Sequence, residues 1–178
     1  MMNFMGKQVR GKHSILLLAG LLVLFALSAC ASNSATANCS DNNRVSQAFS
    51  FDAPFESPDI TLIDYFYGTP NCPSMHNTEG VMRLQSENTF GPIRRAQKLY
   101  VQWQIKSTGQ ILEDTVDLRQ RLPKDMTKHR LHFIVRNTQL FVFVVTPEFR
   151  HKDLPPDDGP EVYSRLRKTL TIYPDQSK

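Results

Sequence analysis

The stretch LYVQWQIKSTGQILEDTVDL, Leu99–Leu118, decides the fold class. Leu99, Val101, Trp103 and Ile105 alternate with Tyr100, Gln102, Gln104 and Lys106, the period of two that a half-buried strand requires. Ser107-Thr108-Gly109 supplies a turn, with the glycine that a positive φ favours. The run from Ile111 to Leu118 alternates again and is expected to pair back as a hairpin. Downstream, Leu131, Phe133 and Val135 share one face, Asn137-Thr138 can turn, and Leu140 to Val145 is apolar on both faces, as in a central strand covered on both sides. Ile60 to Gly68 and Arg167 to Pro174 read as further strands, the latter stopped by its proline.

Helical signal is sparse. Pro160 to Leu166 is expected to start a short helix, with Pro and Glu in its first turn, and Pro123 to Lys128 to form a single turn. The expected fold is mainly β, an antiparallel β-sandwich or open barrel of about five to seven strands with little helix. The connection from Thr69 to Ala96 has no sustained period, and its Pro70, Pro73, Pro92, Gly80 and Gly91 leave its conformation open.

The N-terminus has a different character. Lys7, Arg10 and Lys12 precede an apolar stretch of 13 residues, Ile15 to Leu27, with small residues after it. This is the pattern of a secretion signal, and it is too short for a bilayer-spanning helix, which needs about 20 residues. Leu27-Ser28-Ala29-Cys30 resembles the lipobox of bacterial lipoproteins. The resemblance implies diacylglycerol on the Cys30 thiol, cleavage before Cys30 and acylation of the new amine, with Ala31 at the position where Asp would retain a lipoprotein at the inner membrane. Outer-membrane anchoring facing the periplasm is the expected location, and the covalent lipid is the expected attachment to the membrane. Ordinary signal cleavage with Cys30 as a free thiol is the alternative. The expected organisation is a signal over residues 1–29, a flexible tether over 30–48 and one β domain over 49–178.

Cys39 and Cys72 then form an even pair in an oxidising compartment. A disulfide between them would close a loop of roughly 30 residues and contribute about 3 to 4 kcal/mol in the chain-entropy description. Two separate buried thiols are the other reading. Removing the three signal cations leaves 18 Lys and Arg against 17 Asp and Glu, a net charge of +1, so the charge points to no nucleic-acid partner.

Catalytic patterns are absent from the sequence as written. It has no G-x-S-x-G elbow, and His76, His129, His132 and His151 have no companion motif, so no enzyme and no cofactor are expected. His129 and His132, three apart at the entry of a strand, point to opposite faces and read as a polar turn, so no metal site is expected. Asp114 falls among Leu112, Val116 and Leu118 by strict alternation, which predicts an outward bulge or a salt bridge to Arg119 or Arg121, with a functional acid as the other reading. Arg94, Arg95 and Lys98, and again Arg119, Arg121, Lys124, Lys128 and Arg130, form basic clusters suited to a solvated face, to anionic headgroups or to an acidic partner. The segment from His151 to Glu161 is a proline-stiffened acidic loop, which reads equally as a recognition element or as a surface connection ending in a helix cap.

In their order, IDYFYGTPN, GPIRRAQKLYVQWQIKSTGQILEDTVDLRQRLP, LHFIVRNTQLFVFVVTPE, the Pro-Pro-Asp loop and LTIYP resemble the small lipoproteins encoded beside type VI secretion phospholipase effectors. The resemblance covers roughly Ile60 to Pro174. It implies an immunity protein that binds a secreted phospholipase in the periplasm and blocks it before membrane lipids are cut. The family carries no shared interface motif onto this chain. The partner-binding residues expected are the acidic loop Asp153, Asp157 and Asp158 and the aromatic-rich Tyr65, Phe66, Tyr67 and Asn71, each as a plug for a catalytic cleft. A structural or assembly lipoprotein of an envelope machine is the competing expectation, and an envelope enzyme the third.

Overall fold

Residues 44–76, 85–151 and 159–175 are described in a computed structural model of the chain. They belong to the unit Ala37–Lys178, which is distinct from Met1–Thr36. Nine strands occur among the described residues: β1 (Arg44–Asp52), β2 (Ile60–Thr69), β3 (Cys72–His76), β4 (Ser86–Arg94), β5 (Lys98–Ile105), β6 (Ile111–Asp117), β7 (Arg130–Arg136), β8 (Gln139–Phe149) and β9 (Arg167–Tyr173). Two short helices, α1 (Ala53–Glu56) and α2 (Glu161–Ser164), complete the set. The strands form a five-stranded sheet, β4-β1-β7-β8-β9, and a four-stranded sheet, β3-β2-β5-β6. The expected β-sandwich is therefore present, with more strands than five to seven.

The hairpin of the opening stretch forms as its alternation requires. β5 and β6 pair without interruption from Lys98 opposite Asp117 to Gln104 opposite Ile111, and Gly109 has φ +72 in the turn. Leu99, Val101, Trp103 and Ile105 are all buried. Asn137, also at positive φ, turns β7 into β8, and its carbonyl accepts the Trp103 indole N–H at 2.9 Å, fastening one sheet to the other. Between the sheets Phe49 meets Tyr67 at 5.0 Å and Tyr65 at 5.8 Å, while Phe51 stacks on Phe133 at 4.8 Å. Such pairs add to the area they bury.

Several expectations are corrected. The last part of the stretch expected to be tether, from Arg44 to Ala48, is strand β1, an interior strand of its sheet. Thr69–Ala96 holds two strands, β3 and β4. Pro123–Lys128 is turn and irregular backbone instead of a helical turn, ending with Lys128 at φ +60. β1 runs parallel to β7 over Ala48–Ser50, so the five-stranded sheet is mixed. Asp114 takes neither of its expected routes. Its strand has no bulge, and its carboxylate accepts the Tyr173 hydroxyl at 2.7 Å, joining the edge strands of the two sheets. This bond, more than burial, holds the Tyr173 hydroxyl above its usual pKa. Arg119 and Arg121 pair instead with Asp117 and Asp175, each at 2.5 Å.

β1 ends by turning away from the sheet. Asp52 caps α1, accepting the Phe55 N–H at 3.4 Å, and Pro54 sits in the first turn where its missing N–H costs nothing. The edge of β7 that β1 vacates is covered from the same place, because Ser57 Oγ accepts the buried Val135 N–H at 3.0 Å. That bond holds the end of α1 against β7.

Candidate functional site

The centre of the five-stranded sheet is buried on both faces. Strand registers align two rows of outward side chains across all five strands: Phe90, Ala48, Arg130, Val145 and Thr169, and beside them Asn88, Ser50, His132, Phe143 and Thr171. Over these rows lies Tyr163 of α2, and Glu56 of α1 reaches in from the side.

Ser50, His132 and Glu56 form a buried chain. Ser50 Oγ is 2.8 Å from His132 Nδ1, and His132 Nε2 is 2.6 Å from Glu56 Oε2. An ionised carboxylate only accepts, so Nε2–H donates to Glu56, and in the neutral ring Nδ1 accepts the Ser50 O–H. Tyr163 packs edge-on against His132 at 5.3 Å, with its hydroxyl 3.5 Å from Ser50 Oγ. Both side chains of the His132–Glu56 pair are more than nine-tenths buried, at 3% and 7% exposure. Glu56 has a further oxygen, Oε1, that is buried with no hydrogen-bond partner among the described residues.

A serine, histidine and carboxylate in hydrogen-bonded order have the parts of a nucleophilic relay. Two features weigh against that use. Ser50 is 2% exposed, and its strand is hydrogen-bonded to β4 on one side and β7 on the other. Its neighbouring amides are thus committed to ladders instead of facing an incoming oxyanion.

Tyr163 also separates two clefts. The first, of about 580 Å³, is basic, with Lys128, His129, Arg130 and Arg167 around Ala48 and Phe90. The second, of about 480 Å³, is acidic, with Asp52, Glu56 and Glu87 around Ser50 and His132. Arg130 lies on the boundary: its guanidinium sits 5.0 Å from the Tyr163 ring centre and donates to Asn88 Oδ1 at 2.7 Å. Exposed apolar side chains line both clefts, Phe90 of β4 in the first and Val162 of α2 in the second; Phe149 of β8 pairs with the lining Arg167, Leu166 precedes that arginine, and Phe55 of α1 precedes the lining Glu56, all three exposed. Phe149 is the most open of them at 76%, with the Arg167 guanidinium 3.7 Å from its ring centre.

Of the residues singled out in the sequence, Tyr65 and Tyr67 do not reach a partner: they are 2% and 0% exposed and pack against Phe49 inside the sandwich. Their apolar rings were worth more in the core than at the surface. Phe66, on the opposite face of β2, is half-buried beneath the Lys98 ammonium at 5.2 Å, and Asn71 is exposed in the β2–β3 turn. Cys72 is disulfide-bonded. Cys30, Cys39, Asp153, Asp157 and Asp158 lie outside the described residues. Arg95, from the first basic cluster, is committed to the carbonyls of Arg119, Leu122 and Pro123 at 2.8 to 2.9 Å. No group of three or more His, Cys, Asp or Glu suited to a metal ion occurs among the described residues.

Ser50, Glu56 and Tyr163 gave no signal in the sequence, because the parallel pairing of β1 with β7 that unites them joins residues 82 apart. His132 did carry one: it is the single polar residue inside LHFIV, a run apolar on both faces. A polar side chain there needs a buried partner.

Fold and site together define a two-sheet β-sandwich with an apolar-rimmed, twin-cleft face on its larger sheet. No family model, curated protein or solved structure matches the chain.

Proposed function

We propose that the chain is a lipid-anchored immunity protein of the bacterial envelope, which binds a secreted phospholipase effector and blocks it at the membrane that the enzyme attacks. The observation that carries the binding half of this reading is the concentration of exposed large apolar side chains around the clefts of the five-stranded sheet. Contiguous apolar surface rimmed by polar groups is the mark of a protein-docking site, and arginine beside aromatic rings is the composition of an interface centre. The phospholipase as target rests on the resemblance described above, and the anchor on Cys30. A tether of about eight residues between Cys30 and Cys39 spans at most roughly 30 Å. Confinement of that kind raises the effective concentration of an inhibitor near the bilayer without any new contact.

The Ser50–His132–Glu56 chain favours a second reading, an envelope hydrolase. The burial of Ser50 and its position inside a paired strand make the network a structural support for the docking face in the preferred account. A third, an assembly lipoprotein, would use the same face on a different partner.

The test is to establish whether the adjacent gene encodes a secreted phospholipase and, with that enzyme, to co-purify the chain and assay phospholipid cleavage. Stoichiometric inhibition is expected. Undiminished cleavage at excess lipoprotein ends the immunity reading, and hydrolysis by the lipoprotein alone, abolished in Ser50→Ala, would establish the enzymatic one.

A further inference from the structure

The acidic cleft is not explained by general apolar docking. Three carboxylates, Asp52, Glu56 and Glu87, line it, and among the described residues no lysine or arginine does. Two of them have partial local duties. Asp52 caps α1, and Glu87 Oε1 takes the Asn88 N–H at 3.1 Å and the Thr89 hydroxyl. Glu56 differs, because its side chain is 93% buried while Oε1 has no donor among the described residues. A buried carboxylate oxygen without a donor is left with an uncompensated desolvation penalty. Glu56 lines the cleft, so an N–H brought in against it would offset that penalty. The other titratable lining groups among the described residues, His132 and Tyr163, do not supply it: His132 has both ring nitrogens engaged, and the Tyr163 hydroxyl lies against Ser50. Arg130, which lines the basic cleft, is held by Asn88 and the Tyr163 ring.

We infer that the acidic cleft is a receptor for a single guanidinium group, the arginine side chain of a protein partner, with Glu56 Oε1 as its innermost acceptor. A guanidinium suits the site better than an ammonium, since its planar fork can serve Glu56 and a rim carboxylate at once, and it is weakly hydrated and so enters a part-buried site more readily. The basic cleft beside it would repel the same group, so an arginine is steered to one side of Tyr163. The inference rests on the docking reading only for the source of the arginine.

The experiment titrates N-acetyl-arginine amide into the purified full chain in detergent and follows backbone amide resonances. Saturable shifts at Asn88, His132 and Tyr163 are expected, weaker ones with N-acetyl-lysine amide, and none with the neutral citrulline analogue. Glu56→Gln should weaken arginine-amide binding about tenfold or more, the loss of one charge-assisted bond. Should Glu56→Gln fail to fold, judged by the Trp103 indole resonance, Glu87→Gln at the rim serves instead, with a loss of severalfold. Non-saturable shifts, equal binding of the citrulline analogue, or unchanged affinity in the folded variants would overturn the inference. A chain that binds arginine amide but no phospholipase would leave the cleft assignment standing and remove the proposed function. A chain that binds phospholipase but no arginine amide would do the reverse.

Discussion

The two sheets turn very different outer faces to their surroundings. On the four-stranded sheet the hairpin β5–β6 keeps strict alternation, and its outward side chains bond to one another: Tyr100 donates to Glu113 at 2.8 Å, Gln102 reaches the same carboxylate at 3.3 Å, and Gln104 closes onto the Gly109 carbonyl at 3.0 Å. On the five-stranded sheet alternation fails. β1, β7 and β8 each contain five consecutive buried residues, so a second layer made by α1 and α2 lies over the strands, and it encloses polar groups that need one another. A face with a satisfied, solvated surface has little to gain from a partner. A face with buried polar groups, two clefts and exposed aromatic side chains has much to gain.

The comparison can be broken in order of expected effect. The aromatic core under both faces sets the scale: Phe49→Ala, which removes the ring touching Tyr65, Tyr67 and Phe133, should cost about 3 to 5 kcal/mol by urea denaturation. His132→Ala should cost about 3 kcal/mol, because it leaves Ser50 and Glu56 buried without their partner. Gln104→Ala, on the plain face, should change stability by less than roughly 0.5 kcal/mol. If the two changes prove equal, the buried network does not distinguish the faces. Between them falls Tyr173→Phe, which removes the hydroxyl bonded to Asp114 while retaining the ring and should cost about 1 kcal/mol.

Alkaline pH sharpens the same scale through the core. Burial, with Glu87 and Asp64 adding to it, pushes the Tyr65 hydroxyl from 10.0 up to about 12, and burial raises Tyr67 further. The folded chain keeps these protons where the unfolded chain loses them. Their contribution is therefore full below pH 10 and is lost as pH rises through the folded values. Denaturation at about pH 9 and about pH 11 should show a steeper loss for the native chain than for Tyr65→Phe, and parallel losses would contradict the burial of that hydroxyl.

The same contrast explains what could be read from the sequence. Leu99, Val101, Trp103 and Ile105 announce their strand because one face is wet and the other dry. The start of β1 reads as tether in the sequence, since its core-facing Gln47 looks like surface. Gln47 is buried because its amide donates to the Ile93 carbonyl at 2.7 Å and accepts the Tyr67 hydroxyl at 3.3 Å, partners that only the folded sandwich supplies. β4 is masked by Gly91 and Pro92 and by the scarcity of apolar residues in SENTF. The aromatic character of Tyr65 and Tyr67 suggests recognition residues, yet on β2 they fall in phase with the core while Phe66 between them does not. The site escaped for a related reason, because its members come from β1, α1, β7 and α2, and their meeting depends on a parallel pairing that no local pattern encodes.

The central claim is that a protein partner docks on the apolar-rimmed face of the five-stranded sheet. The most direct measurement is calorimetric titration of the phospholipase against three surface variants of the full chain: Phe90→Asp and Phe149→Asp on that face, and Ile111→Asp, the exposed apolar residue of β6. The account predicts a loss of affinity of about tenfold or more for the first two and an unchanged value for the third. Loss with Ile111→Asp alone, or equal values for all three, would contradict it.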